Sequence, residues 1–261
     1  MTSLAKHRRH PAAVLVVILL GLLVTGGLYA AANSATQAQS VEADELQIEQ
    51  GRKLFLEGCS SCHGLQGQGS DNGPSLIGVG AAAVDFQVAT GRMPLANFGA
   101  QAPAKLPDYT EEEIQAMAAF VASLAPGPAI PSESELDYSD ANVARGGELF
   151  RANCSQCHQA AGRGGALNDG QYAPNLMQTE AVHIWEAMLT GPQQMPVFAD
   201  TTVTPEDKRE IIAYIESLRT SDDPGGWALG RFGPVTEGLF VWIGGMLLAV
   251  ILAIWIGAKV R

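Results

Sequence analysis

All four cysteines of this 261-residue chain sit in two boxes, CSSCH at 59–63 and CSQCH at 154–158. Each box sets two thiols three residues apart and closes on an imidazole. The boxes belong to a longer repeat. GRKLFLEGCSSCHGLQGQG (51–69) lies over GGELFRANCSQCHQAAGRGG (146–165), pairing Gly51 with Gly146, Leu54 with Leu149 and Phe55 with Phe150 at an offset of 95 residues. GPSL (73–76) answers APNL (173–176), and TGRMP (90–94) answers TGPQQMP (190–196) with two extra residues. A self-similar chain folds as two copies of one unit.

Each unit closes on an amphipathic helix. YTEEEIQAMAAFVASLA (109–125) opens with Thr110 and Glu113, the pattern of a capping box, and repeats Ile114, Met117, Phe120, Val121 and Leu124 at helical spacing. TPEDKREIIAYIESLRT (204–220) opens with Thr204 as N-cap and Pro205 at the first helical position, with Ile211, Ile212, Tyr214, Ile215 and Leu218 as its stripe. Phe120 and Tyr214 hold equivalent places. Strand signals are nearly absent, so the expected fold class is all-α. The Gly-rich segments 64–80 and 162–170 are polar loops; they lack the strand–turn–helix context of a phosphate cradle.

The ends are of a different composition. Residues 12–32 and 238–258 are uncharged apolar runs of the length that spans a bilayer. Lys6, Arg8 and Arg9 precede the first run, and Lys259 and Arg261 follow the second. Cationic flanks stay on the cytoplasmic side, which puts both termini inside and the repeats outside. The first run also fits a cleaved signal peptide, although it is longer than the usual apolar core of one. The expected order is a basic tail (1–11), an anchor or signal (12–32), a flexible tether (33–46), unit one (47–125), a stiff proline-bearing linker (126–139), unit two (140–221), a docking segment (222–237), a membrane helix (238–258) and a cytoplasmic end (259–261). Trp227, Trp242 and Trp255 read as interfacial or lipid-facing aromatics. Gly244 and Gly245 either admit a partner helix closely or are ordinary membrane-helix glycines. The net charge of −11 argues against nucleic acid. It suits a basic protein partner or simply keeps the outer part soluble.

Three chemistries use closely spaced cysteines. Zinc needs four ligands, and two such boxes can supply them only if both converge on one site. A dithiol redox pair wants a βαβ context and has no use for the histidine. Covalent haem uses every residue: two thiols on one turn reach the two vinyl groups of a porphyrin, and the next residue is an axial imidazole. On the outer side of a membrane free thiols tend to oxidise, whereas thioethers are inert. The expectation is two covalent haem c groups, one on Cys59 and Cys62 with His63, the other on Cys154 and Cys157 with His158. A methionine on the opposite face fills the iron site and raises the potential, which favours electron transfer.

Met93 is the candidate in unit one, since Met117 lies on the apolar stripe. In unit two the raw offset points to Met188, whereas the T-G…M-P frame points to Met195, which is preferred; Met177 is a third methionine there and His183 a rival ligand. Pro74 and Pro174 follow each box at similar distance, where a loop carbonyl can hold the ring's other nitrogen. A plain turn proline is the alternative. Trp185 is assigned to the haem pocket or the core.

These features resemble the class I cytochrome c fold, in which an opening helix (Gly51 and Phe55, or Gly146 and Phe150) crosses a closing helix. The whole chain, with DDPGGWALGRFGPVTEGLFVWIGG (222–245) leading into the last apolar run, resembles the dihaem cytochrome c subunit of the actinobacterial quinol–cytochrome c reductase, the cytochrome bcc complex. That resemblance implies an electron-transfer subunit working with a cytochrome b subunit, a Rieske iron–sulfur subunit and an aa3-type cytochrome c oxidase. The duplication and the two anchors point to a relay, taken here from the first box to the second though the two sites read almost alike, and no quinone chemistry is legible on this chain. The alternative is a dihaem subunit of a periplasmic dehydrogenase, or a stand-alone membrane-anchored carrier.

Overall fold

The computed structural model describes residues 11–221 and 229–258. The basic flanks (Lys6, Arg8, Arg9, Lys259, Arg261) and Trp227 lie outside the described residues, as do residues 222–228 of the expected docking segment. Unit one comprises α1 (Pro11–Gly58), α2 (Ser60–His63), α3 (Ala81–Ala89) and α4 (Glu111–Leu124). Unit two comprises α5 (Val143–Asn153), α6 (Ser155–His158), a two-stranded antiparallel ribbon of β1 (Gly165–Ala166) and β2 (Tyr172–Ala173), α7 (Ala181–Thr190) and α8 (Pro205–Thr220). Helix α9 (Pro234–Ala258) ends the described chain.

The backbone is helical through residues 33–46, where a flexible tether is expected, so α1 is one helix of 48 residues. The segment between Gly27 and Gly51 contains neither glycine nor proline. Its Ala, Gln and Glu are good helix formers, so nothing local breaks the helix.

Both units are built on the same crossing. Helix α1 lies on α4, and α5 on α8. A Cβ at Gly51 would sit 1.8 Å from the carbonyl oxygen of Ala116; at Gly146 it would sit 1.8 Å from that of Glu210. Only glycine lets the two backbones meet. One turn on, Phe55 packs on Phe120 (ring centroids 5.1 Å apart, planes at 49°) and Phe150 on Tyr214 (5.4 Å, 48°). Around these pairs the stripes close two separate cores. Phe55, Ile114, Met117 and Val121 are buried in the first, and Phe150, Trp185, Ile211, Ile212 and Ile215 in the second. Each such side chain contributes roughly 1.5–3 kcal/mol. Both closing helices carry full capping boxes, Thr110 with Glu113 and Thr204 with Asp207.

The linker is packed, not loose. Ala82 N–H donates to the Pro128 carbonyl (3.1 Å), Ile130 lies on the first core, and Leu136 and Tyr138 lie on the second. The units touch through α3 and α7. Gln101 clamps β2: its Nε2 donates to the Tyr172 carbonyl and its Oε1 accepts from the Tyr172 N–H, both at 2.8 Å. Helix α9 is apolar and exposed along its length. Val235–Ala258, with mean hydropathy 2.6, is long and apolar enough to cross a membrane, whereas the described apolar stretch of α1, Leu15–Gly27, is shorter. Trp242 and Trp255 are exposed on α9, and a Cβ at Gly244 or Gly245 would meet nothing within 4 Å.

Candidate functional site

Each box begins where the opening helix stops. Cys59 N–H donates to Phe55 O and Cys154 N–H to Phe150 O, both at 2.8 Å. A single turn follows, closed by His63 N–H to Cys59 O (3.0 Å) and His158 N–H to Cys154 O (2.9 Å). The turn puts both cysteines and the histidine of a box on one short element. The next loop then folds back in the same way twice: Gly69 N–H to His63 O and Leu76 N–H to Gly67 O in unit one, Gly164 N–H to His158 O and Leu176 N–H to Gly162 O in unit two.

That fold-back delivers the prolines. Nδ1 of His63 lies 2.8 Å from the Pro74 carbonyl oxygen, and Nδ1 of His158 lies 3.0 Å from that of Pro174. A carbonyl oxygen only accepts, so Nδ1 carries the proton and Nε2 keeps its lone pair for a metal. Burial lowers the pKa of His158, against the opposing pull of the Pro174 bond, so the ring is neutral at neutral pH. Burial, with the neighbouring Cys62, pushes the Cys59 thiol up to about 11; burial, with Cys157, pushes Cys154 up to about 12. Both are therefore protonated thiols at neutral pH. Among the described residues the one trio of His, Cys, Asp or Glu close enough to hold a metal ion is Asp85, His183 and Glu186, so the boxes do not converge on a shared Cys₄ site.

A cavity of about 440 Å³ opens over the second box. Cys154, Cys157 and His158 line it, as do Met195, Met188 and His183, with Phe86 and Arg92 contributed by unit one. Two thiols, a neutral imidazole and a thioether sulfur around one apolar-walled hollow fit an iron porphyrin. In unit one Met93 is half-buried against the core formed around Phe55.

The ribbon shifts the repeat. Up to Gly164 the offset is 95; from Pro174 to Thr190 it is 100, because β1 and β2 enclose extra residues. On the shifted frame Met188 is the counterpart of Val88. Both are buried core residues, 2% and 6% exposed. Thr90 and Thr190 then coincide, each donating its hydroxyl to the carbonyl four residues back, of Phe86 and Glu186. Met195 follows in the loop, as Met93 does. Met117 is buried at 1% and Trp185 at 2%, both in cores. His183 turns towards unit one, its Nε2 3.8 Å from Oδ2 of Asp85.

Sequence reasoning missed two groups. Lys208 reads as part of a solvated charge run but is fully buried, with Nζ donating to the Val203 carbonyl (2.9 Å) and to Asp200 and lying 5.7 Å over the Trp185 ring. Asp85 and Glu186 are buried carboxyls facing each other across the units. A lone acid in each of the apolar helices AAAVDFQVA and AVHIWEAMLT was the available signal.

Comparison with known proteins agrees with this geometry. The family model "Cytochrome c" matches residues 48–125, and "Cytochrome C oxidase, cbb3-type, subunit III" matches residues 141–215. The chain is 45% identical over 251 residues to the cytochrome bc1 complex cytochrome c subunit of Mycobacterium tuberculosis, covering 94% of this chain and 90% of that protein. It is 42% identical over 280 aligned positions to the protein of that name from Corynebacterium diphtheriae, covering 99% and 100%. A shorter likeness, 28% over 144 residues, joins it to the cbb3-type cytochrome c oxidase subunit FixP of Sinorhizobium medicae, covering 52% of this chain and 46% of that one. With two cytochrome c units that each carry a covalently bound haem c, the chain belongs to the family of cytochrome bc1 complex cytochrome c subunits and is a dihaem electron-transfer protein.

Proposed function

We propose that the chain is the electron relay of a membrane quinol–cytochrome c reductase. It stands beside a cytochrome b subunit, takes electrons from a Rieske iron–sulfur subunit and delivers them to an aa3-type cytochrome c oxidase. Haem c bound in each unit supplies reversible one-electron chemistry. Cys59 and Cys62, and Cys154 and Cys157, form the thioethers. His63 and His158 would hold the iron, with the carbonyls of Pro74 and Pro174 keeping each ring in orientation. Met93 and Met195 would supply a thioether ligand to it. Helix α9 is the membrane anchor and residues 12–32 a second one. The units lie on the extracytoplasmic side, with both termini on the cytoplasmic side.

The carrying observation is identity of 42–45% over nearly the whole chain to bc1 complex cytochrome c subunits. The twofold recurrence of the histidine-to-proline-carbonyl bond at both boxes supports the haem assignments. A mild-detergent pull-down tests the assembly: cytochrome b and the Rieske protein are the expected companions, and recovery of a soluble-substrate dehydrogenase in their place would refute it. Redox titration tests the ligands. Met93→His and Met195→His each lower the potential of their own unit; unchanged potentials in both remove these methionines from the iron.

A further inference from the structure

Between the two haem units lies a group of side chains that electron transfer does not use. Asp85 on α3 and His183 and Glu186 on α7 offer ligand atoms all within 4.8 Å of one another. His183 and Glu186 are three residues apart on one helix and so share a face. Glu186 is 0% exposed and Asp85 4%. Among the described residues no N–H or hydroxyl donor reaches either carboxylate oxygen of Glu186, which faces the Asp85 carboxyl. Leaving a buried carboxylate charged and unmatched costs several kcal/mol, so such a group either takes up a proton, as burial beside Asp85 drives Glu186 to do, or faces a cation that displaces that proton. Asp85 itself accepts one bond, from Nε2 of Gln115 (3.1 Å).

The surroundings favour a cation too. A second cavity of about 460 Å³ reaches this cluster from the seam between the units. Asp85, Glu111, Glu180 and His183 line it, and no lysine or arginine does. Arg92 lies over the Phe86 ring at 4.8 Å and lines the haem cavity instead.

We propose that Asp85, His183 and Glu186 form a zinc site that clamps the two haem units together. One imidazole and two carboxylates match the donor preference of this ion. Two carboxylates against a divalent cation leave the buried site neutral. Two ligand atoms on one zinc ion at 2.0–2.2 Å stand roughly 3.4 Å apart, so the 3.8 Å between Nε2 of His183 and Oδ2 of Asp85 needs only a small rotamer adjustment. Three protein ligands leave a fourth position, which the acidic seam cavity supplies with water. The ion joins α3 to α7, and with them the wall that both units contribute to the second haem cavity.

The test uses the purified haem-loaded chain in detergent, stripped with a chelator, dialysed and reloaded with Zn²⁺ alone. Elemental analysis is expected to give one zinc per chain beside two irons. X-ray absorption at the zinc edge is expected to show nitrogen and oxygen ligands and no sulfur. Glu186→Gln and Asp85→Asn keep the side-chain shape and are expected to weaken zinc at least tenfold with haem content unchanged. His183→Gln is a second variant of the same prediction. No zinc beyond background in the wild-type chain, sulfur in the zinc shell, or equal zinc affinity in the Glu186→Gln chain overturns the site.

Discussion

Gly146→Ala sets two known effects against each other. Gly146 lies inside α5, where alanine is the better helix former by about 1 kcal/mol. Propensity alone therefore predicts a stabilised protein. The crossing predicts the reverse. The new methyl carbon would meet the Glu210 carbonyl oxygen at 1.8 Å, its carbon at 2.4 Å and the Ile211 nitrogen at 3.1 Å. A relaxed C···O contact is about 3.3 Å, so α5 and α8 must part by roughly 1.5 Å. All three obstacles are backbone, so no rotamer change relieves them. A gap of even 0.5–1 Å forfeits about a quarter to a half of each facing dispersion contact. Phe150 on Tyr214 is the nearest such contact to lose. Overpacking typically costs about 1–3 kcal/mol, and with no side chain free to give way the upper end, about 3 kcal/mol, applies here. Net of propensity, the loss is about 2 kcal/mol, a fall of roughly 8–16 °C in the melting temperature of a unit this size. Thermal unfolding of the haem-loaded chain by circular dichroism measures it. Gly51→Ala, facing the Ala116 carbonyl at the same 1.8 Å, gives a comparable fall in unit one. An unchanged or raised melting temperature in either variant would refute the crossing as the fold's organising contact.

Lys208→Met keeps the aliphatic stem but strips the Val203 carbonyl and Asp200 of their partner and removes the cation from above Trp185. An orphaned buried acceptor costs about 1–3 kcal/mol, so unit two melts about 10 °C lower, checked by the same calorimetric or dichroic scan. Gln101→Ala removes two bonds between the units, together about 1–2 kcal/mol. Hydrogen exchange at the Tyr172 amide then rises roughly 5–30-fold, whereas the Leu176 amide, bonded to Gly162 within unit two, keeps its protection.

The parts of the fold that could be read in advance are those repeated in the chain. Gly51, Phe55 and the first box have partners in Gly146, Phe150 and the second, and a shared offset marks them as one structural element used twice. The amphipathic stripes and the caps at Thr110 and Thr204 are local chemistry, so spacing alone displays them. What escaped notice has no period. Lys208 sits beside Asp207 and Arg209 in a string of charges, and only the fold shows that its Nζ points inward to Val203. Asp85 meets His183 across ninety-eight residues of chain, a separation no local pattern encodes. Residues 33–46 read as a tether on polar composition, whereas the backbone there is helical, as its Ala, Gln and Glu favour.

The departures from the repeat have a common location. Within each unit the duplicated contacts are nearly the same: glycine against a helix carbonyl, aromatic on aromatic, imidazole on a proline carbonyl. The five residues that move the offset from 95 to 100 form the turn between β1 and β2, and β2 is the strand that Gln101 of unit one clamps. Position 85 carries an acid where its counterpart, Trp185, is a core aromatic. Position 86 carries an aromatic where its counterpart, Glu186, is the acid. Asp85 and Glu186 thus face each other because the two copies diverged at adjacent positions, one in each unit. A duplicated haem unit needs no change to hold its own cofactor. It does need change where one copy must recognise the other, and the ribbon held by Gln101 and the Asp85–Glu186 pair are two such changes.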